Sequence, residues 1–249
     1  VYTAPDRREG RGLRMTMSPV KRLALSLGLE VKQPASLRAP EAQKQLIALS
    51  PEIVVIAAYG LIIPSSILNV PRSGFLNIHP SLLPKHRGPS PVATAILHGD
   101  ENTGVTLMLL SETLDGGPII NQVAININEA DTTSSLTERL FLEGAQILSD
   151  TLPVWVRGGI TPVVQNEGLA TTTRKLLKQD GEINWERPAK EIHQMIKAFN
   201  PWPGCFTKWE GQRLIILEAM PIDWNTDEKI GTVLSLKKFG IEAGIKTGD

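Results

Sequence analysis

The order of apolar and polar stretches along the first half of the chain predicts an α/β fold. Residues 53–58 form a continuous apolar run, which is typical of a strand buried on both faces of a parallel sheet. Further strands are indicated at 73–79, 105–110 and 118–127. Helices are indicated at about 40–49, 64–68 and 91–98, with a longer one from 131–135 to about 150. Alternating strands and helices predict a doubly wound, mostly parallel, Rossmann-like sheet.

The pattern changes in the second half of the chain. An amphipathic helix is indicated at 188–199, and short strands with turns follow through residue 246, which suits a small OB-like β-barrel. We therefore predict a catalytic-type domain at 1–158, a polar linker at 159–178 and a second domain at 179–249. The first domain is expected to lack its opening strand and helix, because a βαβ unit needs ~30 residues or more. The second is expected to be truncated.

Composition narrows the class of protein without naming a function. Hydrophobic residues make up 41% of the 249 positions and charged residues 21%, which is ordinary for a globular protein. No apolar run approaches the ~18 residues of a membrane span, and the first residues are polar, so neither a span nor a signal peptide is expected. Cys205 stands alone, and His86, His98 and His193 lack metal-site spacing, so no metal is expected. A bacterial cytoplasm or an organellar matrix is the expected compartment.

Charge is balanced overall but not locally. The net charge is zero, yet residues 1–22 carry an excess of four positive charges. The basic side chains there are Arg7, Arg8, Arg11, Arg14, Lys21 and Arg22. Residues 179–249 instead hold nine basic and eleven acidic side chains. Taken alone, a basic run of this kind is most simply a solvated loop.

An amide, an imidazole and a carboxylate form the strongest candidate chemistry. Asn77 and His79 are two positions apart on a predicted strand, so they project from the same face, and Asp115 follows His79 by 36 positions. An amide N–H or a charged imidazole can hold an oxyanion, and a carboxylate favours the charged imidazole and can accept a proton. Taken singly, His79 is more simply a structural histidine, and Asp115 is more simply a turn residue.

The order and spacing of three motifs resemble those of formyltransferases that use 10-formyltetrahydrofolate. The motifs are Asn77-x-His79, then Ser81-Leu82-Leu83-Pro84-x-x-Arg87-Gly88, then Leu114-Asp115-x-Gly117. The resemblance implies that Asn77, His79 and Asp115 are catalytic. It also implies that the loop residues Ser81, Leu82, Leu83 and Pro84 contact the folate co-substrate, with backbone groups at the pterin end. Tyr59 and Gly60 end a predicted strand at the carboxyl edge, where ligands bind, and are expected to line the same pocket.

Two further stretches resemble methionyl-tRNA formyltransferases within that family. One is the opening Thr3–Gly12 with Met17–Lys21, and the other is Phe199–Gly204. The resemblance covers nearly the whole chain and implies initiator methionyl-tRNA as the acceptor, with a monomeric enzyme. The residues expected to contact the tRNA are Arg7, Arg8, Arg11, Arg14 and Arg87.

Two alternatives stay open from the residues alone. The same chemistry could serve another acceptor, such as a nucleotide amine, a sugar-nucleotide amine or water. The chain could instead be a folate- or RNA-binding protein without turnover, since an intact set of three groups does not establish activity.

Overall fold

The computed structural model describes residues 1–9, 14–223, 227–234 and 244–249. Its helices are α1 Pro19–Ser26, α2 Pro40–Ala48, α3 Pro91–His98, α4 Thr133–Val156 and α5 Ala189–Ala198. Its strands are β1 Arg7–Glu9, β2 Arg14–Thr16, β3 Val54–Ala57, β4 Phe75–His79, β5 Asn102–Leu109, β6 Ile119–Asn126, β7 Cys205–Trp209, β8 Gln212–Ile216, β9 Val233–Leu234 and β10 Gly244–Ile245. Short 3₁₀ helices lie at Ser65–Ile67, Glu167–Leu169 and Lys178–Gly181.

Local sequence signals set the ends of several helices. A proline occupies the first turn of α1, α2 and α3, where its missing N–H costs no helical hydrogen bond. Ser18 caps α1 by accepting a hydrogen bond from the backbone N–H of Lys21, and Gly99 ends α3 in the left-handed conformation, at φ 67°. None of the described helices combines the length and apolarity that a membrane crossing requires.

The described chain divides into two compact units, each built from separate stretches of sequence. The first unit contains residues 1–79, 107–121 and 148–165, and the second contains 80–106, 122–147 and 166–249. The predicted sequential domains, divided by a linker at 159–178, stay a prediction.

The central sheet is mixed, so the prediction of a mostly parallel sheet was wrong in this respect. Its strand order is β3-β4-β5-β6, and β3 pairs with β4 in parallel, with Ala57 opposite Ile78. In the first unit, the backbone N–H of Leu109 donates to the carbonyl of Pro118, which marks β5 and β6 as antiparallel. The connection at 110–118 is too short for a parallel crossover, which needs a dozen residues or more.

Strand β3 is also less buried than its apolar sequence predicts. Val55 is 39% exposed, and burial alternates along the strand. The alternation shows that one face of β3 is better covered than the other. Val54 and Ile56 pack against the apolar cluster of the first unit. That cluster consists of Leu37, Ala42, Leu46, Ile67 and Phe75.

The second unit holds α3, α5 and the strands near the end of the chain. Helix α3 lies against α5. Helix α5 is amphipathic, as predicted, and its buried side chains include Ile192, Met195 and Ile196. Strands β7 and β8 form an antiparallel hairpin, and β9 pairs with β10. The fold class α/β is confirmed for the described chain, whereas the OB-like barrel stays a prediction.

Candidate active site

Strand β4 presents the first two residues of the predicted catalytic set. Its residues are buried except for Asn77, which is half-buried, and its alternation places Asn77 and His79 on one face. Asn77 lies opposite Ile56 of the parallel neighbour β3. His79 ends the strand, and Pro80 follows, which cannot donate to a sheet. The imidazole of His79 therefore lies at the carboxyl end of β4.

The structure brings Asp115 to His79, as predicted. The Nδ1 atom of His79 lies 3.7 Å from the Oδ2 atom of Asp115, and their side chains are 5% and 12% exposed. Both residues belong to the first unit. A distance of 3.7 Å is an ion-pair contact rather than a short hydrogen bond, and such contacts often tighten only when substrate is bound. The Asp115 carboxylate is largely shielded from water and faces the imidazole, so it can orient the ring.

A tight turn positions the Asp115 carboxylate. Asp115 adopts φ 48°, a left-handed conformation that aspartate tolerates better than most residues. The turn closes through a hydrogen bond from Gly116 N–H to the Thr113 carbonyl. Gly117 has no room for a side chain, because an added Cβ would stand 1.9 Å from the carbonyl oxygen of Leu109. The glycine is therefore required by close backbone contact.

Gln165 holds this turn and was missed by sequence reasoning. Its side chain is 5% exposed, and its Nε2 atom donates to the carbonyls of Asp115, at 2.9 Å, and of Gly117, at 2.7 Å. It lies within the segment predicted as a polar linker, where a single glutamine 50 positions from Asp115 carries no recognisable pattern. Only the folded chain shows this contact.

Replacing Gln165 by leucine is expected to reduce turnover and stability together. Two carbonyls lose their donor, so the free energy of unfolding should fall by about 1–3 kcal/mol. The Asp115 carboxylate should become less well placed, and kcat should fall about tenfold with little change in KM. Gln43→Leu is a matched control, because Gln43 donates to the Leu37 carbonyl away from Asp115. Steady-state kinetics and chemical denaturation would measure both effects; unchanged kcat in Gln165→Leu would contradict the positioning role.

Tyr59 and Gly60 lie at the same sheet edge as His79. They follow β3, which is parallel to β4, so the two carboxyl ends coincide. Tyr59 packs against the apolar cluster of the first unit. Its hydroxyl is buried and has no hydrogen-bond partner among the described residues, and burial raises the pKa of Tyr59. A buried hydroxyl without a partner is uncommon in folded proteins.

The Ser81–Pro84 loop belongs to the second unit and is held by its own hydrogen bonds. The Ser81 hydroxyl donates to the Lys85 carbonyl at 2.6 Å and is fully buried. The Thr106 hydroxyl donates to the Ser81 carbonyl at 2.6 Å, and the Gln122 side-chain amide donates to the Leu83 carbonyl at 3.1 Å. These bonds fix the loop backbone. Folate contact by this loop stays a prediction. The two carbonyls that already accept a hydrogen bond would each have one lone pair left for the folate.

Arg87 is placed differently from the predicted tRNA contact. Its side chain is 5% exposed, and its guanidinium donates two hydrogen bonds to the Glu167 carboxylate, at 2.9 and 2.8 Å. These bonds hold the pKa of Glu167 below its usual value. A phosphate would have to displace this paired carboxylate. The geometry therefore favours a structural role for Arg87 over a phosphate contact.

Three of the other predicted arginines lie on a β-hairpin. Strands β1 and β2 pair in antiparallel register, and Arg7, Arg8 and Arg14 are exposed on them. Arg11 lies outside the described residues. The hairpin base is anchored by Asp6, which Lys21 and Gln33 contact at 2.7 and 2.8 Å. The hydrogen bond from Gln33, followed by that from Lys21, lowers the pKa of Asp6.

Comparisons with known proteins agree with this geometry. The chain matches the model of the formyl transferase family over residues 1–152 and that of the formyl transferase C-terminal domain over 175–249. It is 43% identical over 248 residues to a methionyl-tRNA formyltransferase of Marinobacter nauticus, covering 100% of this chain and 80% of that protein.

Two solved structures share the fold at lower identity. A sugar N-formyltransferase from Shewanella sp. FDAARGOS_354 is 23% identical with a TM-score of 0.67, covering 81% of each chain. The Aquifex aeolicus HypX structure in complex with tetrahydrofolic acid is 22% identical with a TM-score of 0.65, covering 94% of this chain and 40% of that one. The family matches and the 43% identical relative, taken with the His79–Asp115 geometry, show that this chain belongs to the formyl transferase family.

Proposed function

We propose that this chain transfers the formyl group of 10-formyltetrahydrofolate to the methionine amine of initiator methionyl-tRNA, for translation initiation. The observation that carries the chemistry is the shielded His79–Asp115 contact of 3.7 Å beside Asn77 on β4. The compartment and the monomeric state stay predictions from the sequence.

The acceptor is inferred from the relatives and from the hairpin. The relative at 43% identity along the whole chain is a methionyl-tRNA formyltransferase, whereas the sugar N-formyltransferase, at 23% identity, supports the fold alone. The exposed arginines of β1 and β2 supply a positive surface suited to phosphates. The balance of acids and bases in residues 179–249 gives no such surface, so the hairpin should carry much of the recognition.

In the proposed mechanism, three side chains stabilise charge and move one proton. Asn77 and protonated His79 hold the oxyanion that develops as the amine attacks the formyl carbon. Asp115 keeps His79 protonated and oriented, and it accepts the proton that the attacking ammonium releases. The folate supplies the formyl group and leaves as tetrahydrofolate, with one proton returned to its nitrogen. The side chains of His79 and Asp115 are only 5% and 12% exposed, and this shielding from water strengthens the electrostatic interactions between charged groups at the site.

The residues near His79 fit a folate donor. Tyr59 offers a buried hydroxyl without a partner among the described residues, and Gly60, at φ 76°, has no atom near where a Cβ would stand. A heteroaromatic ring with polar edges can use both the hydroxyl and the open backbone approach. Tyr59→Phe should therefore raise the KM for the folate while leaving kcat close to that of the parent.

One assay separates the three functional hypotheses. The purified chain is incubated with formyl donor and methionyl-tRNA, with an amino-sugar nucleotide, or without acceptor, and release of tetrahydrofolate is followed. We expect release to depend on methionyl-tRNA. Release without acceptor would indicate a hydrolase, preference for the amino-sugar nucleotide would change the acceptor, and no release under any condition would support a binding protein.

Loss of an arginine from the segment 8–14 is expected to weaken use of methionyl-tRNA. Arg8→Ala, Arg11→Ala and Arg14→Ala should each raise its apparent KM and reduce the slope of log KM against log salt by about one unit per lost phosphate contact. Folate binding should not change. Arg38→Ala removes an exposed arginine outside the hairpin and serves as the control. Parent-like KM values at every salt concentration would leave the hairpin without a role in acceptor binding.

A further inference from the structure

A second group of titratable side chains lies in the second unit, among residues that the proposed function does not use. His86 comes from the loop after β4, His98 ends α3, and Asp100 follows the left-handed Gly99. Candidate ligand atoms of these three residues all lie within 4.8 Å of one another. The Nε2 atom of His86 is 2.7 Å from the Oδ2 atom of Asp100, and the two imidazole rings are 5.6 Å apart between centroids.

Two imidazoles and one carboxylate are ligands that divalent transition metals prefer. Three protein ligands of this kind with one open position are a common zinc arrangement. Ligand atoms ~2.0–2.1 Å from a tetrahedral ion are about 3.4 Å from one another, so shifts of about 1 Å would complete the geometry. His98 is exposed and the Asp100 side chain is 30% exposed, so both can change rotamer without disturbing a core.

The surroundings of this cluster suit a bound cation with a water ligand. His86 and Asp100 line a cavity of about 300 Å³, together with Lys85, Glu101 and Thr103. Its lining holds one more acidic than basic side chain, and the exposed Lys85 can extend its ammonium into water. Thr103 is 3% exposed, and its hydroxyl has no hydrogen-bond partner among the described residues. A metal-bound water would give that hydroxyl a partner.

We propose that His86, His98 and Asp100 form a binding site for one divalent transition-metal ion of the imidazole-preferring class, with Zn²⁺ as the expected ion. Such an ion would tie the loop after β4 to the end of α3. The spacing in sequence did not indicate this site, because the ligands come from a loop and a helix end. The left-handed turn at Gly99 brings His98 and Asp100 together.

Binding of Zn²⁺ to the purified chain tests the proposal without measuring activity. The chain is stripped with a chelator and titrated with ZnCl₂ by calorimetry, with MgCl₂ as the oxygen-preferring comparison. We expect one Zn²⁺ per chain, no comparable binding of Mg²⁺, and a higher thermal midpoint with Zn²⁺ present.

The exposed position of His98 makes it the safest ligand to vary. His98→Gln should lower Zn²⁺ affinity by at least the ~10–100-fold that loss of an outer-shell partner costs, with the chelated protein melting like the parent. Asp100→Asn should also weaken binding while keeping an oxygen near His86. Controls are His193→Gln and His79→Asn, the two other histidines, which should bind like the parent.

Three results would overturn this site. These are no Zn²⁺ binding by the parent, parent-like affinity in His98→Gln, or loss of binding only in His79→Asn. The last result would place the ion at the His79–Asp115 pair instead.

Discussion

Replacing His79 by alanine is expected to lower kcat by about 10²–10³-fold while leaving the KM for the folate nearly unchanged. The imidazole acts on the oxyanion, which exists only along the reaction path, so its loss should appear in kcat rather than in substrate binding. Removing one oxyanion donor typically costs on the order of 3 kcal/mol. The 5% exposure of the His79 side chain keeps water from replacing it efficiently.

Asn77→Ala and Asp115→Ala should show the same division between kcat and KM. The double variant of His79 and Asp115 should lose much less than the product of the single losses, because the two side chains act as a unit. His193→Ala controls for loss of a histidine elsewhere, since His193 bonds the Ala219 carbonyl in the second unit. Single-turnover rates with methionyl-tRNA would measure the chemical step. Near-parent turnover in any one of the three variants would remove that residue from the mechanism.

Among substitutions that add one methyl group near the site, Gly117→Ala is expected to lower stability and kcat the most. The new Cβ would stand 1.9 Å from the Leu109 carbonyl oxygen and 3.0 Å from its carbon, and both are backbone atoms at the end of strand β5. Relief requires movement of the turn that holds Asp115. Overpacking of this kind costs about 1–3 kcal/mol or more, and displacement of the carboxylate should lower kcat as well.

A matched glycine separates this clash from the general effect of adding a methyl group. At Gly168 the nearest atom to a new Cβ is the Asn166 side-chain oxygen, at 3.3 Å, which can move. Gly168→Ala should therefore retain parent-like turnover and a similar denaturation midpoint. Denaturant unfolding and kinetics on both variants would decide, and a Gly117→Ala protein as stable and active as the parent would show that the turn is not fixed by this contact.

Local patterns predicted the elements well and their pairing less well. Helix α3 was predicted at 91–98 and has those bounds, because proline and glycine mark its two ends. The strand carrying Asn77 and His79 was also predicted. The antiparallel pairing of β5 and β6 was not predicted, because a sequence run indicates a strand but not the direction of its neighbour. The burial of β3 was overestimated, since an apolar run does not show how well each face of the strand is covered.

The site divides in the same way between local and long-range information. His79 and Asp115 were predicted together because their motifs resemble a family, and the structure places them 3.7 Å apart. Gln165 carries no motif, and its role depends on folding across 50 positions. The pairing of Arg87 with Glu167 spans 80 positions, so the sequence alone does not show the partner of this arginine. Composition alone could indicate neither contact.

The stretch predicted as a linker has a consequence for anyone exchanging parts between relatives. The backbone of Arg87 donates a hydrogen bond to the Thr171 carbonyl and accepts one from the Thr173 N–H. The Glu167 carboxylate accepts hydrogen bonds from the Arg87 guanidinium, and the Gln165 side chain donates to the Asp115 carbonyl. A chimera joined inside 165–173 would mix residues that must match those at 84–90 and 115–117. The suitable junction lies after residue 173, so that these nine positions travel with the amino-terminal part of the chain, while Arg174 stays with its partner Asp180 in the incoming segment.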